Sequence, residues 1–173
     1  EAARVLALRG HIPVIFEKSD KLGGVFNAAS APYFKEKDKE LLAWYAKELK
    51  DLNIEVRFNS EITSKNQLKD FDDVIVASGA EANRPRIPGL EKSIEACDYL
   101  YGKEVGDKVI IIGGGLSGCE IAYDLFKKGK TPIILEMKND LIAVKGVCLA
   151  NSSFLRDFFE LNKVEVHLET SLV

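Results

Sequence analysis

Three glycines and one acid are the residues in this chain whose types and spacing could do chemistry. In "DKVIIIGGGLSGCEIAYDLFKKG", Gly113, Gly115 and Gly118 fit GxGxxG, and Glu136 follows Gly118 by 18 residues. Gly113 permits a tight exit from a strand, Gly115 lets backbone approach a pyrophosphate, and Gly118 lets a helix pack close to the sheet. The amides near 116–118 then face the phosphates from a helix N-terminus, where unpaired donors and the helix dipole both favour an anion. Glu136 is placed to accept from the adenosine ribose hydroxyls and to repel a 2'-phosphate. At ~4 Å and an effective dielectric of ~20, each like-charge pair costs about 4 kcal/mol, so NADH is expected rather than NADPH. Lys138 lies close enough in sequence to soften that repulsion. The candidate residues for this cofactor are Gly113, Gly114, Gly115, Leu116, Ser117, Gly118, Glu136 and Met137.

Such a turn works only between a strand and a helix, and the flanking residues supply both. "KVIII" is β-prone and "LSGCEIAYDLFKKG" is helical. Along the chain the residue patterns predict helices at 1–9, 36–51, 116–128 and 150–161. They predict strands at 12–17, 54–58, 73–77, 108–112, 132–136 and 164–168. Alternation of this kind calls for parallel α/β layers.

The chain also repeats itself. Shifted by 119 residues, "EAARVLALRGHIPVIFEKSDKL" aligns without a gap on "EIAYDLFKKGKTPIILEMKNDL", with eight of 22 positions identical. Gly10 falls on Gly129, Pro13 on Pro132, Ile15 on Ile134 and Glu17 on Glu136. The fold class expected is therefore α/β with two Rossmann-like parallel-sheet nucleotide-binding units, the first lacking its opening strand and glycine loop. We place the first half at 1–104 and the second at 105–173, and expect the chain to be a fragment of a longer one.

After Glu17 and Lys18 the first copy continues "SDKLGGVFNAASAP", with a glycine pair at Gly23 and Gly24. A second element, "DDVIVASGAEANRPRIPGL", has the apolar run 74–77, then Ser78 and Gly79, then a proline-rich crossover. Taken with "VIIIGGGLSGCEIA" and "ILEM", these stretches resemble the nucleotide-binding region of a family of NADH:flavin oxidoreductases. That family includes 2-enoate reductases, 2,4-dienoyl-CoA reductases, bile-acid-inducible flavin oxidoreductases and trimethylamine dehydrogenase. The resemblance covers nearly the whole chain, and "GGVFNAASAP" is its most specific stretch.

The resemblance implies an FAD site formed by Glu17, Lys18, Gly23, Gly24, Ala77, Ser78 and Gly79, with "ASGA" standing for an ATG-type motif. It implies an N-terminal barrel of the same parent chain carrying FMN and a 4Fe-4S cluster. The role implied for this region is electron input, passing hydride from NADH to FAD for reduction of an activated C=C bond at the FMN. No catalytic acid or base and no metal ligand is assigned to these residues. Disulphide reductases of related fold carry a cysteine pair after the first glycine pair, and 25–32 contains no cysteine. A rival expectation is a stand-alone NAD-binding sensor or regulatory module without flavin.

The bulk properties agree with either reading. The chain is 46% hydrophobic with a formal net charge of −3, without a block of Lys or Arg to hold nucleic acid. No apolar run approaches the roughly 20 residues of a membrane span. Cys97, Cys119 and Cys148 have neither CxxC nor metal-ligand spacing, which predicts a reducing, cytoplasmic setting. Leu41, Leu42, Tyr45, Leu49 and Leu52 form a helical stripe for packing. Trp44 beside that stripe, His11, His167 and Cys119 are read as structural or solvent-exposed.

Overall fold

In the computed structural model, which describes residues 1–172, the β-branched runs form parallel ladders and the leucine- and alanine-rich stretches form helices. The chain divides into two units, Glu1–Ala82 and Asn83–Val173.

The first unit opens with α1 (Ala2–Leu8), which ends at Gly10 in the left-handed conformation that closes many helices, φ +87°. Strand β1 (Val14–Phe16) pairs in parallel with β2 (Glu55–Arg57), Val14 opposite Glu55. Between them lie a short α2 (Phe26–Ala29), a 3-10 turn at Tyr33–Lys35 and the long α3 (Glu36–Asp51). The stripe on α3 turns inward as its spacing requires: Leu49 is 8% exposed, with Leu41 at the rim. Trp44 is half-exposed, edge-on to Tyr45 and beneath the Arg4 guanidinium.

The second unit carries the larger core. After α4 (Ala96–Leu100), strands β3 (Lys108–Ile112), β4 (Thr131–Leu135) and β5 (Glu165–His167) form one parallel sheet in that order. Lys108 lies opposite Thr131 and Ile133 opposite Glu165. Helix α5 (Leu116–Lys127) links β3 to β4, and α6 (Leu149–Leu161) links β4 to β5. Ile111, Ala122, Leu125, Ile134, Leu155 and Phe159 close the core between helices and sheet. Asp124, 1% exposed, ties α4 to α5 by accepting from Tyr99 Oη and Lys128 Nζ, each at 2.6 Å.

The repeat seen in the sequence extends into hydrogen bonds that residue identity does not reveal. Asn59 N donates to Ser19 O and Ser60 N to Glu17 O; Glu169 N donates to Lys138 O and Thr170 N to Glu136 O, all at 2.9 Å. Asn53 and Asn59 have positive φ, as do Lys163 and Glu169. The pair Glu55–Arg57 is matched by Glu165–His167.

One expected strand differs. Residues 73–77 join no ladder among the described residues, and Val74, Ile75 and Val76 are 52%, 59% and 82% exposed. A doubly wound sheet sets its fourth strand beside its first. Among the described residues this unit's strands are β1 and β2, which pair with each other, and the segment pairs with neither. No helix among the described residues is long and apolar enough to cross a membrane.

Candidate functional site

Strand β3 delivers the chain into the glycine turn, and each glycine there meets a different constraint. Gly113 donates to Leu135 O at 2.8 Å, ending the β3–β4 ladder, and turns with φ +104°. Such a value suits glycine alone. At Gly118 a Cβ would stand 2.0 Å from Gly113 O, so the first turn of α5 can approach the strand exit only because no side chain intervenes. A Cβ on Gly115 would meet nothing within 4 Å. That glycine, exposed at the N-cap of α5, leaves open space in front of the helix. Leu116 packs against the core, and Ser117 is exposed.

Glu136 follows β4 and is 8% exposed. Its Oε2 accepts from Gly114 N at 2.7 Å and its Oε1 from Lys138 N at 2.8 Å. The acid is thus built into the turn that it was expected to serve from outside, through Gly114, the residue before the open Gly115. Lys138 Nζ donates to Ala143 O at 3.1 Å. Met137 is 72% exposed. Cys119, fully buried, lies 3.4 Å from Gly114 O through its Sγ, and burial pushes its thiol up to about 12. It packs; it is no thiolate.

In the first unit Glu17 occupies the equivalent strand end. Its Oε1 accepts from Ser19 N and Ser19 Oγ, each at 2.8 Å. Lys18 beside it is exposed. Gly23 and Gly24 turn with φ +107° and +50°, and a Cβ on Gly23 would fall 2.7 Å from Asn27 Nδ2. Asn27 clasps the turn, donating to Leu22 O at 2.9 Å and Gly24 O at 3.1 Å. Ala77, Ser78 and Gly79 are exposed, and no hydrogen bond among the described residues draws them to the Glu17 cluster.

Three residues that no motif in the sequence marks also hold these turns: Asn27, Leu141 and Ile142. A Cβ on Gly114 would strike Leu141 Cδ2 at 2.5 Å, and Ile142 N donates to Gly114 O at 2.7 Å. The only local signal for Leu141 and Ile142 is the apolar run 141–144 that follows the polar residues 138–140. Among the described residues no cluster of His, Cys, Asp or Glu could hold a metal, and the three cysteines are free.

Comparison with known proteins gives this geometry a setting. Residues 63–173 match the family described as pyridine nucleotide-disulphide oxidoreductase. Cinnamate reductase of Clostridium sporogenes is 44% identical over 170 residues, which are 96% of this chain and 25% of that protein. NADH oxidase of Thermoanaerobacter brockii is 38% identical over 171 residues, 93% of this chain and 26% of that one. Among solved structures, 2-naphthoyl-CoA reductase in complex with 2-naphthoyl-CoA superposes with a TM-score of 0.85 at 27% identity, over 98% of this chain and 26% of its own. The chain thus spans about a quarter of the length of the curated relatives it matches.

Proposed function

The chain belongs to the pyridine nucleotide-disulphide oxidoreductase family, and on that premise we propose that it is the electron-input region of a longer NADH-dependent flavoprotein reductase. The reaction served is reduction of an activated C=C bond of enoate or dienoyl-CoA type. The observation that carries this reading is the open Gly115 face at the N-terminus of α5, with buried Glu136 bonded into the same turn. Similarity to cinnamate reductase and 2-naphthoyl-CoA reductase supports the substrate class.

The residues present fit a dinucleotide. Backbone donors of 116–118 and the positive end of the α5 dipole hold the pyrophosphate. Glu136 has one lone pair on each oxygen spoken for by Gly114 N and Lys138 N, and the others accept from the ribose hydroxyls. Gly113, Gly114 and Gly118 shape that turn, with Leu116, Ser117 and Met137 around it. In the first unit, Glu17, Lys18, Gly23 and Gly24 would form the ribose side of a flavin site. Ala77, Ser78 and Gly79, which lie exposed and, among the described residues, unbonded to that cluster, are assigned to the same site by the resemblance alone. When bound, nicotinamide and flavin supply hydride transfer and its division into single electrons.

No residue of this chain is given a proton to move, and the cysteine-free turn after Gly24 argues against thiol-disulphide chemistry. The flavin-type half is assigned to 1–104 and the nicotinamide half to 105–173, although the compact units part at Ala82–Asn83 and α4 packs with the second. The FMN barrel with its 4Fe-4S cluster lies elsewhere in the parent protein, which works in the cytoplasm.

Calorimetric titration with both nucleotides tests the assignment. NADH should bind at least about tenfold more tightly than NADPH, about a third of the ~4 kcal/mol like-charge repulsion. Equal or tighter NADPH binding removes Glu136 from the ribose. The full-length parent protein should be yellow and should be bleached by NADH; a full-length protein that binds NADH but holds no flavin returns the reading to a nicotinamide-binding module.

A further inference from the structure

The segment from β4 to α6 presses on the glycine turn as well as connecting two elements. Ile142 is 3% exposed and has φ +52°, a left-handed backbone that a β-branched residue adopts only under constraint. Its N–H holds Gly114 O, while Glu136 holds Gly114 N. Gly114 is thus gripped at both its N–H and its C=O.

What constrains Ile142 comes from α6. Arg156 Nε donates to Asp140 Oδ1 at 3.1 Å and Nη2 to Asp140 Oδ2 at 2.9 Å. The same Nη2 donates to Leu141 O. A guanidinium fork of this kind fixes both distance and orientation. On the other side of Ile142, Lys138 Nζ holds Ala143 O. The strained residue is therefore tied on both flanks, by Arg156 through Leu141 O and by Lys138 through Ala143 O.

We propose that Arg156 is a positioning residue for dinucleotide binding: through Asp140 and Leu141 it keeps Ile142 in its left-handed conformation, and Ile142 in turn sets the glycine turn whose amides face the pyrophosphate. This rests on the nucleotide-binding reading above. Hydrogen bonds to phosphate depend steeply on donor angle, so a turn that loses one anchor loses affinity without losing any residue that touches the ligand.

The test measures NADH affinity by calorimetry together with amide hydrogen exchange in the ligand-free protein. Arg156→Ala should raise the Kd for NADH about tenfold, the loss of roughly one hydrogen bond's contribution. It should also speed exchange at the Ile142 and Gly114 amides while Ile133 and Ile134 in β4 keep their protection. Asp140→Asn should move both readouts in the same direction by less. Wild-type affinity or unchanged exchange at Ile142 in Arg156→Ala overturns the proposal, and so does exchange that rises equally in β4. Should Arg156→Ala fail to fold, the same readouts in Asp140→Asn decide. If the unaltered protein does not bind NADH, the functional reading fails, and the exchange measurement still judges the tie on its own.

Discussion

Gly115 and Gly118 are the same residue type three positions apart in the sequence, yet their surroundings give them separate jobs. An alanine at 118 would place its Cβ 2.0 Å from Gly113 O, and relief requires the turn or the helix to move. We expect Gly118→Ala to cost about 1–3 kcal/mol of stability, the range for overpacked sites, and to abolish NADH binding. An alanine at 115 meets open space at φ −71°, so the fold should melt within a few degrees of the unaltered protein. On the proposed function the added methyl group would stand where the pyrophosphate approaches, and NADH should bind at least about tenfold more weakly, one charge-assisted hydrogen bond's worth. Calorimetry and thermal melts on both variants check this; Gly115→Ala with undiminished affinity would remove that glycine from the site. The sequence shows the spacing of the two residues, while only their neighbours separate a packing glycine from one that faces open space.

At the scale of elements, the helices follow their residue patterns closely. Glu36–Asp51 coincides with its expected span, because a stripe of leucines with charged residues elsewhere leaves one way to bury the apolar side. Helix α6 shows how such an element reaches the site. Phe159, 2% exposed, anchors it in the core, and Phe158 lies edge-on to Tyr123 and Phe126 of α5 with centroids 4.7 and 5.2 Å apart. Phe159→Ala should cost about 3–5 kcal/mol in urea denaturation. A cost below about 1 kcal/mol would show that α6 is held by its surface contacts instead. Elements that depend on one or two residues were less legible: α2 rests on the Asn27 clasp, and the Tyr99–Asp124–Lys128 tie between α4 and α5 has no periodic signal at all.

For the molecule as a whole, the two units share a plan and differ in how much of it they bury. The first buries Ala28, Leu49 and Ile54, whereas the second closes a continuous core from Ile111 to Phe159. Exposed and without a ladder partner, the amides of Val74, Ile75 and Val76 should exchange at close to unprotected rates, while Ile133 and Ile134 are strongly protected. Protection at 74–76 comparable to that of β4 would mean that this segment pairs in solution. Its apolar composition alone reads as a buried strand, because composition records a preference for burial and says nothing of which neighbour is at hand.

By itself the sequence determined the features that rest on a few adjacent residues: the glycine turns, the amphipathic helices, the parallel α/β alternation, and the repeat that sets Glu17 and Glu136 at equivalent strand ends. Those follow from backbone freedom and local periodicity, which neighbouring residues dictate. Tertiary structure alone decided that Glu136 bonds into the turn, that Cys119 is sealed, that Ile142 is forced left-handed and that Arg156 ties it down. Each of these is a pairing between residues far apart in the chain, and such pairings are selected by burial and hydrogen-bond geometry that exist only once the helices have packed on the sheet.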